Sequence, residues 1–176
     1  MTTGYTIRLA RGVELDQLPD IERRAATRFR ERAGALGLSE AMLADAQPLD
    51  SLSTANDDGR LWVAADADDH PVGFALVREI GLFAHLDEID VLPEHGRQGL
   101  GARLIEAVCE WAYTRGFDAV TLSTFRDVPW NAPYYARHGF EPVAAEDLPP
   151  ELIEVLKREA DKGLRPELRV IMRRAV

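Results

Sequence analysis

The residues most suited to chemistry lie in Val91-Leu92-Pro93-Glu94-His95-Gly96-Arg97-Gln98-Gly99-Leu100-Gly101-Ala102-Arg103-Leu104. A strand ends near Val91, a glycine-rich turn follows, and a helix starts near Gly99. Backbone N–H groups at a helix start lack internal partners and sit at the positive end of the helix dipole, so they receive phosphate oxygens well. Gly96, Gly99 and Gly101 carry no Cβ, which lets an anion approach the main chain, and Arg97 can add a charged contact. The order Gly-x-x-Gly-x-Gly is the reverse of the dinucleotide fingerprint, and no Lys-Ser/Thr pair follows as in a P-loop. The same glycines also suit a tight strand-to-helix turn that binds nothing.

These residues need elements to hold them. Tyr5–Leu9 alternates with period two and predicts a first strand. From about Val13 to Arg32 the pattern is helical, with Leu15, Leu18, Ile21 and Ala25 on one stripe. Ser39 caps a short run, Glu40–Ala44. Asn56-Asp57-Asp58-Gly59 is turn chemistry that opens a strand over Arg60–Ala65. After a turn at Asp66–Pro71, Pro71–Glu79 returns as the second arm of a hairpin, and His85–Val91 is another strand. Gly101–Arg115 predicts a helix with Leu104, Ile105, Val108 and Trp111 inward and Gly116 closing it. Asp118–Thr124 follows as a strand. Pro129–Pro133 breaks the chain before a short helix ending at Gly139. Phe140–Ala144 then predicts a strand, Pro149–Lys162 a helix, and Leu168–Met172 a last strand. No repeat or linker divides this order, so the expectation is one domain over residues 1–176, of α/β (α+β) class around one mixed sheet.

At 176 residues and 46% apolar content the chain has one-domain length. It carries 21 basic and 30 acidic residues, a net charge of −9, which speaks against nucleic acid or anionic membrane as a partner. No apolar run approaches the ~18 residues of a membrane span, and the N-terminus lacks the long apolar stretch of a secretory signal. The expected location is cytoplasmic. The single cysteine, Cys109, offers neither an intrachain disulfide nor a Cys-rich zinc site and reads as core filler. No His/Asp spacing suggests a metal.

A second segment, Trp130-Asn131-Ala132-Pro133-Tyr134-Tyr135-Ala136-Arg137-His138-Gly139-Phe140-Glu141, gives the glycine turn a context. Together the two segments resemble the GNAT superfamily of N-acetyltransferases. That family's Gln/Arg-x-x-Gly-x-Gly/Ala signature matches Gly96-Arg97-Gln98-Gly99-Leu100-Gly101, and its tyrosine four residues before Gly-Phe matches Tyr135 before Gly139-Phe140. Two positions depart from the pattern. Gly96 stands where the family has Gln or Arg, and Val128 stands where it has an asparagine seven residues before the tyrosine. Asn131 lies only four before it and reads first as an N-cap for the short helix, with a pantetheine contact as its second role.

The resemblance implies a central, mixed, mostly antiparallel twisted sheet of about seven strands flanked by helices. It implies acetyl-CoA as co-substrate, its pyrophosphate on Arg97, Gln98, Gly99, Leu100, Gly101 and Ala102. The pantetheine arm would lie along Asp90, Val91 and Leu92, where two strands splay apart. The acetyl group would pass directly to a primary amine of a small molecule or peptide. Tyr135 falls at the family's acid position: a phenol with pKa of about 10 stays protonated at neutral pH and can donate to a departing thiolate. The candidates for the base are Glu88, Asp87 and His85, ranked nearly equal, and some members of the family use only ordered water. Strand parity sets His85 and Asp87 against Glu88, although a bulge at mid-strand would re-aim Glu88. Asp87, Glu88, Asp90 and Glu94 gather negative charge that would draw a cationic amine. Arg28, Arg30 and Arg32 suit either an acceptor carboxylate or simply a helix C-terminus. A homodimer is compatible with the family. The alternative class is a catalytically silent acyl-CoA-binding module that regulates a partner.

Overall fold

A computed structural model describes residues 4–176. Its strands are β1 (Thr6–Leu9), β2 (Leu61–Ala65), β3 (Pro71–Ile80), β4 (Phe83–Val91), β5 (Ala119–Phe125), β6 (Glu141–Pro142) and β7 (Arg169–Ala175). They form one seven-stranded sheet in the order β1-β2-β3-β4-β5-β7-β6. Every neighbouring pair is antiparallel except β4–β5, which is parallel, so the sheet is mixed and mostly antiparallel as expected.

The helices are α1 (Leu18–Ala26), α2 (Ala33–Leu36), α3 (Glu40–Ala44), α4 (Leu49–Asp57), α5 (Leu100–Arg115), α6 (Ala132–Ala136) and α7 (Pro150–Asp161). α5 buries Leu104, Ile105 and Val108 together with Leu100, Cys109 and Ala112. Trp111 is only half-buried, packed edge-on against Trp62 and stacked on Phe117. Gly116 ends α5 in the left-handed conformation, φ 79°, where a Cβ would be strained. No helix among the described residues is long and apolar enough to cross a membrane.

Three stretches differ from the sequence-based expectation. The single helix over Val13–Arg32 is divided into a 3₁₀ turn (Gly12–Gln17), α1 and a second 3₁₀ turn (Thr27–Arg32). Pro19 lies in the first turn of α1, where its missing N–H costs nothing; inside a longer helix it would remove a hydrogen bond. α4 has no clear sequence signal, because Asp50, Ser51, Ser53, Thr54 and Asn56 are weak helix formers; burial of Leu52 and Ala55 stabilises it. The strand expected over Phe140–Ala144 shrinks to β6, where Pro142 has no N–H to offer.

Two irregularities in the sheet shape its centre. The β3–β4 register shifts between Leu76 and Val77, which face Glu88 and Leu86, so Asp87 is an extra residue on β4. Paired residues project to the same face of a sheet, so this bulge puts Glu88 and Asp90 on the face that His85 uses, together with Phe74, Leu76 and Arg78. The second irregularity is the short β4–β5 pairing, which covers only Phe83 to His85 against Ala119 to Thr121. Beyond His85 the two strands part, and the β4 edge from Leu86 to Val91 faces a gap.

Candidate active site

The gap opens into a cleft of about 1960 Å³ that runs from α1 past β4 to the start of α5 and to α6. That exceeds the ~300–1,000 Å³ of a usual single-ligand pocket and leaves room for two molecules side by side. At one end, Gly99 occupies the N-cap of α5 with φ 74°, and no side chain caps the helix. The Arg103 N–H is bonded back to the Gly99 carbonyl at 3.1 Å, so the amides ahead of it have no partner within the helix. Arg97 also takes a left-handed φ of 60°, a costly conformation for a residue with a Cβ.

The three glycines serve different purposes. A Cβ on Gly99 would meet nothing within 4 Å, so only here does the missing side chain leave an open approach. A Cβ on Gly101 would stand 2.8 Å from the Tyr134 hydroxyl, and one on Gly96 would stand 3.1 Å from the Pro93 carbonyl. The expectation that all three open the main chain to a ligand is corrected: Gly101 makes room for Tyr134, and Gly96 fits a tight turn. The positions expected to hold a cofactor line the cleft, except Leu92 and Gln98. Leu92 is buried; its N–H donates to the Val72 carbonyl at 2.8 Å and its carbonyl accepts from the His95 N–H. Gln98 is exposed outside the cleft. Asn131 stands at the N-cap position of α6 but its side chain makes no cap hydrogen bond. Its Oδ1 is buried without a partner and the residue lines the cleft, contrary to the capping role read first from the sequence.

The structure separates the base candidates. His85 is 2% exposed, and its Nδ1 lies 2.9 Å from Thr121 Oγ1. Burial pushes its pKa down to about 4 against a partial lift from Asp87, so the ring is neutral at physiological pH. Asp87 accepts a hydrogen bond from Arg78 at 2.6 Å and is held in that ion pair. Glu88, turned onto the His85 face by the bulge, has no guanidinium on it; burial and then the neighbouring Asp90 raise its pKa well above the ordinary carboxyl range. Tyr135 is buried on α6, its ring edge-on to Tyr134 and Phe140. Burial, then the charges of Glu88 and Asp90, raise its phenol further, so the hydroxyl stays protonated.

Acidic groups at the site are redistributed relative to the sequence. Glu94 is exposed and paired with Arg24 outside the cleft. In its place Glu22, from α1, lines the cleft beside Glu88. Nothing in the local pattern marks Glu22, because an acid on a helix flanked by Ile21 and Arg23 looks like any solvated position. Arg28 and Arg32 lie over the Trp130 ring at 5.5 and 5.3 Å from its centroid, and cation–π attraction explains both. Among the described residues, four buried side-chain atoms lack a hydrogen-bond partner: Arg78 Nε, Asp90 Oδ2, Trp130 Nε1 and Asn131 Oδ1. All four residues line this cleft, as expected where a ligand or solvent supplies the missing partner.

Comparison with known proteins agrees with this architecture. The sequence profile of the Acetyltransferase (GNAT) family matches residues 21–140, well over half of the chain, and the protein belongs to that family. Its fold is similar to that of PaiA N-acetyltransferase from Thermoplasma acidophilum in complex with coenzyme A, with a TM-score of 0.69 and 16% identity over 98% of this chain and 99% of that one. It is also similar to the ribosomal-protein-S18-alanine N-acetyltransferase of Escherichia coli, with a TM-score of 0.63 and 19% identity over 98% and 94%. N-acetylglutamate synthase from Neisseria gonorrhoeae, complexed with coenzyme A and N-acetyl-glutamate, matches with a TM-score of 0.70 and 16% identity over 97% of this chain but only 35% of that one.

Proposed function

We propose that this protein moves an acetyl group from acetyl-CoA to a primary amine of a small molecule or peptide, by direct attack in a ternary complex in the cytoplasm. The observation that carries the reading is the gap between β4 and β5, which leads from the uncapped amides of α5 to the buried hydroxyl of Tyr135. The residues present fit coenzyme A: Gly99 leaves the helix start open, Arg97 lines the same end of the cleft, and the β4 edge beyond His85 has no strand beside it. Bound there, acetyl-CoA supplies an activated thioester.

The residues of the chain handle the protons. An ammonium group must lose a proton before its nitrogen can attack, and Glu88 takes it in its carboxylate form, which a raised pKa makes a stronger base. The nitrogen then bonds to the thioester carbon, the C–S bond breaks, and the thiolate takes the Tyr135 proton. The phenolate left behind is reprotonated by way of Glu88. Asp87 and His85 orient the strand around this step, one through Arg78 and the other through Thr121.

Mixing the protein with acetyl-CoA and a panel of amines, and following free thiol, tests the reading. Thiol release that depends on an amine supports it. Tight CoA binding without release from any amine would instead identify a silent acyl-CoA-binding module.

A further inference from the structure

Glu22, Glu88 and Asp90 come from two elements, α1 and β4, and meet on one face of the sheet. Glu22 Oε2 accepts the Gln47 N–H at 2.7 Å, which holds the carboxyl toward the cleft. Asp90 Oδ2 is buried and accepts no hydrogen bond. Among the described residues, no ion pair joins a basic side chain to any of the three. Of the nearby cations, Arg28 lies over Trp130 and Arg78 is paired with Asp87. A buried carboxylate without a cation is costly, and a fold that gathers three carboxyl groups at a cleft wall, one of them with an oxygen that has no hydrogen-bond partner, leaves the compensating charge to be brought in.

We propose that Glu22, Glu88 and Asp90 form the receptor for a cationic acceptor, an alkylammonium with no carboxylate beside its reacting nitrogen. This rests on the acyltransferase reading above and narrows it. An α-amino acid would carry its own carboxylate into the cluster, where repulsion from three acids outweighs one guanidinium already stacked on an indole. Glu22 is a binding residue here; Glu88 is the member that also takes the proton.

The free cluster stores protons. Burial, then Glu88, raises Glu22 to about 8, and burial, then Glu22, raises Asp90. The charged and titratable groups around them are Arg28 in the second 3₁₀ turn, Asp45 after α3, Asp87 on β4 and Tyr135 on α6. A cation entering favours the ionised carboxylates, so binding of R–NH₃⁺ drives COOH to COO⁻ and releases H⁺ to solvent.

The test is calorimetry on the CoA-loaded protein with n-butylamine, 1,4-diaminobutane and L-norvaline, the last being butylamine with a carboxylate on its α-carbon. Expected are binding of the two amines in preference to L-norvaline, proton release seen as a heat that differs between phosphate and HEPES, and about tenfold or more loss of amine affinity in Glu22→Gln. CoA affinity within about twofold of wild type reports an intact variant. If Glu22→Gln loses CoA binding, the wild-type heats decide, and equal heats in the two buffers overturn the proposal. Preference for L-norvaline, unchanged amine affinity in Glu22→Gln, or no binding of either amine to CoA-loaded protein also overturns it. Failure of the wild type to bind CoA overturns the acyltransferase reading itself, a different result from any of these.

Discussion

The Tyr134 hydroxyl occupies the space that a Cβ on residue 101 would need, 2.8 Å from its ideal position, while the ring carbon behind it stands at 3.7 Å. One glycine therefore fixes how closely α6 approaches the first turn of α5. Gly101→Ala should force the Tyr134 ring to shift and cost about 1–3 kcal/mol of stability. Removing the hydroxyl in a Gly101→Ala/Tyr134→Phe double variant should recover most of it. Thermal melts of the two variants and of Tyr134→Phe complete the cycle, and additive effects would show that the two residues do not share this space.

Gly99 presents the opposite case. Its Cβ position is open, so Gly99→Val carries only the conformational cost of φ 74°, about 1–2 kcal/mol of folding stability. Its effect on coenzyme A should be larger, because the added side chain stands where phosphate would approach. Calorimetry should show weaker CoA binding in a variant that still folds; unchanged affinity would place the diphosphate elsewhere.

Tyr135→Phe should retain the edge-on packing against Phe140 and Tyr134, and with it CoA affinity. Turnover should fall by about 10²-fold or more, the contribution of a positioned acid. Steady-state thiol release beside a CoA titration separates the two quantities. Equal turnover would remove Tyr135 from the chemistry.

Stability should depend on pH through two buried groups that pull in opposite directions. His85 has its folded pKa depressed to about 4 from 6.5, so between those values the unfolded chain binds the extra proton. His85 therefore withdraws about 3 kcal/mol as pH falls through that window. Glu22 is raised from 4.5 to about 8, so the folded state binds the extra proton and stability falls as pH rises from about 4.5 to about 8. Glu22→Gln should accordingly melt higher than wild type at pH 8, with the difference closing toward pH 4. A variant no more stable at pH 8 would mean that the Glu22 carboxyl is not held out of water.

The glycine turn and the alternation of strands and helices are local patterns, legible from residue type and backbone spacing, and the Tyr135-to-Phe140 segment is legible by its resemblance to a family motif. Those spacings predicted the mixed sheet, the strand ahead of the turn and α5. Tertiary structure decided which groups face one another. A single extra residue at Asp87 reverses side-chain parity and places Glu88 and Asp90 on the face that His85 uses; sequence allows such a bulge but does not locate it. Arg78 takes Asp87, Thr121 holds His85, and Arg24 pairs with Glu94, each across a gap in sequence no local pattern spans. Glu22 becomes part of the cleft only because α1 lies over β4. The type of a side chain is local information, but its charge state depends on burial and on partners brought from elsewhere in the chain.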